Sequence, residues 1–517
     1  MAERKEGKIL LNETETREKL MEGAEAVFQA VSTTYGPRGR NFLLEKSFGR
    51  PILTRDGVST ARDVFFSDRA KNMGSQLLIE ASEVTNRIAG DGTSATVVLS
   101  YNLLKNAVQS IAAGKHPMDL RDTLDDDRRI MLKRLDELVV PVKDEQLEEV
   151  ATVSSGDKLI GKLIADAILH VGQDGGILTE KAPINEVERV YEDGYYLQSG
   201  FQALQAGKKE ITDPLVIVSN KRITSATDVF DLLTATAKAN NIVPGQTPKL
   251  LLIGNFEDNA YMAIVENINR GTIDAIVIKT PPQFGEMGRH LLDDIATLAG
   301  CKAISETTNL KSFNKTYVGT IDRVVASKSE STLFANNETE AVQTRAQEIK
   351  DQIATEISDG VKESLRDRVA KLEGKVAIFR IGGATDSIKE ELEFRIEDAI
   401  NATRAAYSEG IVAGGGVTLL ELSKLDISDV SKKALKDTFR QLLINANLPS
   451  ELKLDEALNA KQGFGFNLRK DEGLVNMIES GIIDPVLVTR ETVKNATSTI
   501  GAAITIGGSL IFTDTEK

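Results

Sequence analysis

Asp56, Asp91, Asp398 and Asp484 each stand beside a turn, a glycine or a proline, or off an apolar stripe, and carboxylates so placed can bind metal or move a proton. The most informative setting is that of Asp91, in Gly90-Asp91-Gly92-Thr93-Ser94-Ala95-Thr96. Its two glycines let backbone N–H groups approach an anion, and an apolar series at helical spacing follows: Val97, Tyr101, Leu104, Val108, Ile111. A turn that opens onto a helix N-terminus favours phosphate, and Thr93 or Ser94 can donate or cap. A carboxylate among phosphates repels them unless a metal stands between, so Asp91 reads as a Mg²⁺ ligand shared with phosphate oxygens. The plainer reading of the heptapeptide is a capped helix after a turn; that of each acid taken singly is a cap or a solvated side chain. A second stretch, Gly156-Asp157-Lys158-Leu159-Ile160-Gly161-Lys162-Leu163, has the outline of a phosphate loop. Leucine occupies the place of its metal-binding hydroxyl, which argues against it.

The elements that must position these residues change character along the chain. Residues from about Thr16 to Thr34 predict an amphipathic helix with Leu20, Ala24, Val27, Phe28 and Val31 on one face. It stops at Tyr35-Gly36-Pro37, and strand-like pieces follow at Asn41 to Leu44 and after Pro51. Helices are expected up to Pro141, then a short, mixed pattern from Val153 to about Val190. Continuous apolar runs at Leu215–Val218, Leu250–Ile253 and Ala275–Ile278, each separated by a helical segment, predict buried parallel strands in a separate α/β domain. A charged helical region, Glu340 to Glu373, closes that block. Further on, Leu392, Ile396, Ala399, Ile400 and Thr403 share a helix face, with Asp398 off the stripe. Glycine-punctuated helical texture returns around Gly414-Gly415-Gly416, so the two chain ends resemble each other around an inserted block.

At 517 residues the chain exceeds one ordinary core and predicts two or three domains. Its 41% hydrophobic and 27% charged content is that of a globular protein, and a net charge of -14 argues against a nucleic-acid surface. Cys301 is the single cysteine, which precludes an intrachain disulfide and fits a reducing compartment. The start, Met1-Ala2-Glu3-Arg4-Lys5-Glu6, lacks a secretory apolar run, and Gly501 to Phe512 is too short to span a bilayer. A cytoplasmic protein without membrane or nucleic-acid partners is expected.

Taken together and in order, the motifs resemble a group I chaperonin of the GroEL type. The stretches that carry the resemblance include Thr34-Tyr35-Gly36-Pro37-Arg38-Gly39-Arg40-Asn41, Thr54-Arg55-Asp56-Gly57-Val58-Ser59, Gly90-Asp91-Gly92-Thr93 and Asp294-Ile295-Ala296-Thr297-Leu298. Glu397-Asp398-Ala399, Val412-Ala413-Gly414-Gly415-Gly416-Val417 and Ile483-Asp484-Pro485 extend it to the C-terminal part. The resemblance implies an α/β multidomain fold: a mostly helical equatorial domain (1–137 and 410–517), a small α+β intermediate hinge domain (138–189 and 381–409) and an inserted α/β apical domain (190–380). It implies ATP and Mg²⁺ at a site including Thr34, Tyr35, Gly36, Pro37, Gly90, Asp91, Gly92, Thr93, Ser94 and Ala95, with Gly415 on the adenosine, Asn467 near the base and Asp484 on the ribose. Asp398 would orient the attacking water, with Asp56 assisting, and a K⁺ site would lie near Thr34 and Arg55. Unfolded polypeptide would bind Phe201, Phe230, Leu233, Tyr261, Ile264 and Val265, unless these form the insert's own core. The implied assembly is a homo-oligomeric ring, heptameric and single or double, working with a GroES-like co-chaperonin.

Several positions depart from the family pattern. Ala95 replaces the third hydroxyl of the Gly-Asp-Gly-Thr-Thr-Thr run, Arg55 replaces a lysine, and Phe466-Asn467-Leu468-Arg469 replaces Tyr-Asn-Ala-Ala. Glu266 and Gly200 stand where an apolar residue and a tyrosine are usual, and Leu448 and Gln109 alter the expected ring–ring contacts. Three function classes follow: an ATP-hydrolysing folding chamber, a ring-forming holdase or scaffold with lost or weak turnover, and an unrelated small-molecule kinase.

Overall fold

The computed structural model describes residues 7–45, 52–54, 57–172, 175–197, 199–200, 208–243, 245–279, 286–311, 314–328, 330–356, 358–470 and 473–513. The chain makes two compact units, one from Met1–Leu169, Lys181–Glu188 and Arg380–Lys517, the other from His170–Glu180 and Arg189–Phe379.

The first unit is helical and built around helix Thr93–Ala112, the one that follows the Gly90–Gly92 turn. That helix is apolar almost all round, so it is buried on nearly every side, including Val97, Tyr101 and Leu104. Each fully buried Val or Leu contributes about 1.5–3 kcal/mol. Helix Glu13–Ser32, started by an Asn12/Glu15 capping box, buries Leu20, Ala24, Val27 and Val31 and stacks Phe28 on Tyr101 at 4.2 Å. Helices Arg69–Ala89, Asp429–Asn445 and Val486–Ala503 complete this core, so early and late parts of the chain fill one interior. Strands Gly7–Leu11 and Ser509–Thr513 pair antiparallel, as do Phe42–Leu44 and Ile52–Thr54.

One stretch differs from the sequence expectation. Where a short, mixed pattern was expected, Lys158–Val171 is a regular helix burying Ile160, Ile164 and Ile168 at four-residue spacing. The rejected phosphate-loop outline is this helix's start: Asp157 accepts from the N–H groups of Leu159 (2.8 Å) and Ile160 (3.2 Å). Helix Asp386–Glu409 buries Ile396, Ala399, Ile400 and Thr403, leaving Asp398 on its other side.

The second unit is α/β. Strands Asp274–Lys279, Lys249–Phe256 and Leu215–Ile223 are adjacent and parallel, and Gly319–Thr320 adds an antiparallel edge. The three apolar runs are these strands, and their alternation feeds two cores. Ile217, Leu250 and Leu252 face helices Ala226–Ala239 and Asp258–Asn269; Val216, Val218, Leu251 and Ile253 face the other way. The second face is covered by helices Glu286–Leu298, Glu340–Thr355 and Asp359–Glu373. Asp294, fully buried there, accepts from Arg368 Nε (2.7 Å) and Nη2 (2.8 Å) and from Arg345 Nε (2.9 Å), so these charged helices are pinned by a desolvated ion triad. Among the described residues no helix is long and apolar enough to cross a membrane.

Candidate functional site

In the first unit, the turns that interrupt its helices surround a cavity of about 850 Å³. The Gly90–Gly92 turn forms one wall. Gly90 (φ 68°) ends helix Arg69–Ala89 and Gly92 (φ 84°) starts the next, both in the left-handed region open to glycine. A Cβ on Gly92 would stand 2.6 Å from Val488 Cγ1, so the turn also needs a residue with no side chain. Asp91 is held between the halves of this wall: its Oδ1 accepts from Gly92 N–H (2.5 Å) and its Oδ2 from the Ser154 hydroxyl (3.2 Å).

Thr34, Tyr35, Gly36, Pro37, Asp91, Gly92, Thr93, Ser94, Ala95, Asp398, Gly415, Asn467 and Asp484 all line this cavity. Gly90 forms the turn behind the lining and is not part of it. Arg55 and Asp56 lie outside the described residues; their neighbours Thr54 and Gly57 line the same cavity. The 34–37 loop is fixed from two sides. Asn445 Nδ2 donates to the carbonyls of Ser32 (2.7 Å) and Tyr35 (2.8 Å), and Arg38 donates to those of Leu468 (2.8 Å) and Arg469 (2.7 Å). Asp484 arrives on strand Ile483–Pro485, paired with Ile411–Ala413, so the Gly414–Gly416 turn and the acid are neighbours.

The electrostatics are those of a site that concentrates acids. Burial, and then the charge of Asp91, push the Asp484 carboxyl up to about 7. Burial and then Asp484 raise the Tyr35 phenol. Glu149 is raised by burial and by Glu148, whereas Arg469 is lowered by burial and by Arg38 and Arg395. Glu145, Glu148, Glu149, Thr152, Ser154 and Arg395 line the cavity without having been singled out from sequence; Lys158, from the rejected phosphate-loop outline, and Arg469, from the departing Phe466–Arg469 stretch, line it too. Glu145, Glu148, Glu149 and Thr152 recur at helical spacing in Asp144–Ser155, a signal shared with any solvated helix face.

Of the expected polypeptide-binding positions, two require correction. Tyr261 (6% exposed) and Ile264 (0%) point onto the sheet and belong to the second unit's own core, so they present no surface. Phe230 is 68% exposed, and Leu233 and Val265 are half-buried at the edge of that core. Phe201 lies outside the described residues. Met262, not anticipated, is 55% exposed on the outer side of helix Asp258–Asn269. Glu266 is exposed and ion-paired with Arg270. At Gly200 an added Cβ would stand 2.2 Å from the Ser327 carbonyl oxygen, so no side chain fits there.

The residues present suit a magnesium nucleotide. N–H groups at a helix start and two hydroxyls suit phosphate and the Asp91 carboxylate suits a hard cation, with Asp398 lining the same cavity of nucleotide size. A helical unit closed by both chain ends, with an α/β unit inserted in it, is a chaperonin fold. The chain belongs to the TCP-1/cpn60 chaperonin family, whose sequence pattern matches residues 27–243 and 283–507, and it is a divergent, group I-like member. It is similar in fold to the chaperonin gp146 of bacteriophage EL 2 (Pseudomonas aeruginosa), crystallised in the presence of ATP-BeFx. In crystal form II the TM-score is 0.70 at 20% identity, covering 97% of this chain and 98% of that one. In crystal form I it is 0.62 at 20% identity, covering 97% and 99%.

Proposed function

We propose that this protein is an ATP-driven folding chaperonin: a homo-oligomeric ring, heptameric and single or double, that binds unfolded polypeptide and releases it as nucleotide binds and is hydrolysed. The observation that carries this reading is one cavity lined by Asp91, Asp398 and Asp484, three acids from distant parts of the chain, with a glycine turn that suits phosphate. When bound, Mg²⁺ neutralises phosphate charge and ATP supplies the bond to be broken. Asp91 would share the metal with phosphate oxygens, and Thr93 and Ser94 would donate to phosphate. Gly415 would pack on the adenosine, Asn467 would lie near the base and Asp484 would take a ribose hydroxyl. Asp398 would orient the attacking water, with Asp56 assisting, and K⁺ would sit near Thr34 and Arg55.

In this reading 1–137 with 410–517 is the equatorial domain, 138–189 with 381–409 the hinge, and 190–380 the apical domain. Placing Asp398 on the hinge makes hydrolysis wait for closure. Clients would meet the apolar surface of Phe230, Leu233, Met262 and Val265, since exposed apolar area binds unfolded chains without sequence preference. A GroES-like lid would dock without the tyrosine that Gly200 replaces, and the assembly would work in a cytoplasm.

A second reading, a ring-forming holdase with lost or weak turnover, draws on Ala95, which lines the cavity without a hydroxyl. One sample decides between them: particle images for rings, and ATP turnover with and without an unfolded client. Rings whose turnover changes with client support the folding chamber, and rings without turnover support the holdase. An active monomer overturns both.

A further inference from the structure

Beneath the Gly90–Gly92 turn lies a chain of buried polar side chains that none of the roles above uses. Thr96 Oγ1 is 3.0 Å from the Gly92 carbonyl oxygen, 3.1 Å from Thr85 Oγ1 and 3.3 Å from Thr492 Oγ1. Asn495 Nδ2 donates to Thr85 Oγ1 (3.0 Å) and to Glu491 Oε2 (3.2 Å). Thr85 and Thr96 are fully buried, Thr492 is 2% exposed and Glu491 3%. Three helices, Arg69–Ala89, Thr93–Ala112 and Val486–Ala503, therefore meet at hydroxyls beside the cavity, whose lining includes Thr492.

The Gly92 carbonyl is held twice by one residue, by Thr96 N–H (3.0 Å) and by the Thr96 hydroxyl. In a trans peptide the carbonyl and the next N–H point in opposite directions. Pinning the Gly92 carbonyl into the helix thus aims the Thr93 N–H away from it, at the N-terminal end where a phosphate would sit. Gly92 has little stiffness of its own, so this orientation must be imposed from outside. Thr85 gives its own proton to the Ala81 carbonyl (3.0 Å) and accepts one from Asn495, so the single Thr96 proton has three acceptors within reach, Gly92 O, Thr85 Oγ1 and Thr492 Oγ1. The Gly92 carbonyl oxygen is the nearest of the three, at 3.0 Å.

We propose that Thr96 is the positioning residue of the phosphate turn: its hydroxyl donates to the Gly92 carbonyl and fixes the Gly92–Thr93 peptide plane, while Thr85, itself fixed by Ala81 and Asn495, packs against that hydroxyl. The proposal rests on the reading of the cavity as an ATP site. Thr96→Val keeps shape and removes the proton, Thr96→Ser restores it, and Thr85→Val cuts the supporting chain while leaving the clamp. Rings of each variant, matched for melting temperature, are assayed for ATP turnover and for amide exchange across residues 91–94. The expected result is a roughly ten-fold lower kcat for Thr96→Val, the loss of about one hydrogen bond at the reacting group. Faster exchange at 91–94 accompanies it; Thr96→Ser recovers both, and Thr85→Val loses less than Thr96→Val. Wild-type turnover with Thr96→Val unchanged overturns the proposal alone, as does an equal loss in Thr96→Val and Thr85→Val. A wild-type protein that neither binds nor hydrolyses ATP overturns the nucleotide reading and this proposal with it.

Discussion

Asp398 and Asp484 line the same cavity, and their chemistry separates in two experiments. On the proposed reading, in which Asp398 orients water and does not hold phosphate, Asp398→Ala should bind ATP as wild type does and hydrolyse it roughly a hundredfold more slowly. Equal turnover in the two proteins would remove that role. The carboxyl of Asp484 is raised to about 7, so the folded chain holds a proton there that the unfolded chain releases near its ordinary value of 3.8. As pH rises from 4 to 7 the folded state is progressively penalised, and above 7 the penalty is constant. Asp484→Asn should therefore raise the melting temperature of the nucleotide-free protein more at pH 8 than at pH 5, as a thermal-shift series would read. A larger gain at pH 5 would contradict the assigned burial.

At the level of elements, the two helices over the second unit's sheet carry opposite predictions on neighbouring positions. Ile264→Ser removes buried methylenes and buries a hydroxyl, costing about 3 kcal/mol, whereas Phe230→Ser should leave melting within about 0.5 kcal/mol of wild type and weaken capture of an unfolded client. Asp294→Ala should cost about 3–5 kcal/mol, since it strands the buried guanidinium of Arg368. The same helices mark how far the sequence could be read. Apolar runs at Leu215, Leu250 and Ala275 announce strands because burial on both faces leaves no polar position to interrupt them. Helical spacing in Asp258–Asn269 shows that Tyr261, Ile264 and Val265 share a stripe, yet a stripe does not say whether it faces a sheet or a client. The helix Lys158–Val171 is legible in the four-residue spacing of Ile160, Ile164 and Ile168; what masks it is the pair Gly156 and Gly161, which gives its start the outline of a phosphate loop, although Gly161 is there to let the helix pack closely on Thr152. At the cavity, acids beside glycine turns are visible because backbone conformation demands glycine there. Glu145, Glu148 and Glu149 are not, because a carboxylate lining a cavity and one facing solvent have the same local sequence.

For the whole molecule, a net charge of -14 on each chain means that subunits brought together repel one another unless screened or bridged. Oligomer size measured by light scattering should therefore fall on lowering the salt concentration, and salt-independent rings would show that apolar contacts dominate. The nucleotide-type cavity is lined by residues 34–37 and 91–95 and by 415, 467–470 and 484, with the whole second unit lying between the two groups in the chain. A polypeptide emerging from the ribosome can complete the contiguous stretch 189–379 well before its first hundred residues meet the late helices that bury them. Until those helices appear, the nascent chain exposes the apolar flanks of Thr93–Ala112 and has no pocket to be rescued by ATP. A machine of this plan must itself wait, half-built and sticky, in the condition of the clients it would later receive.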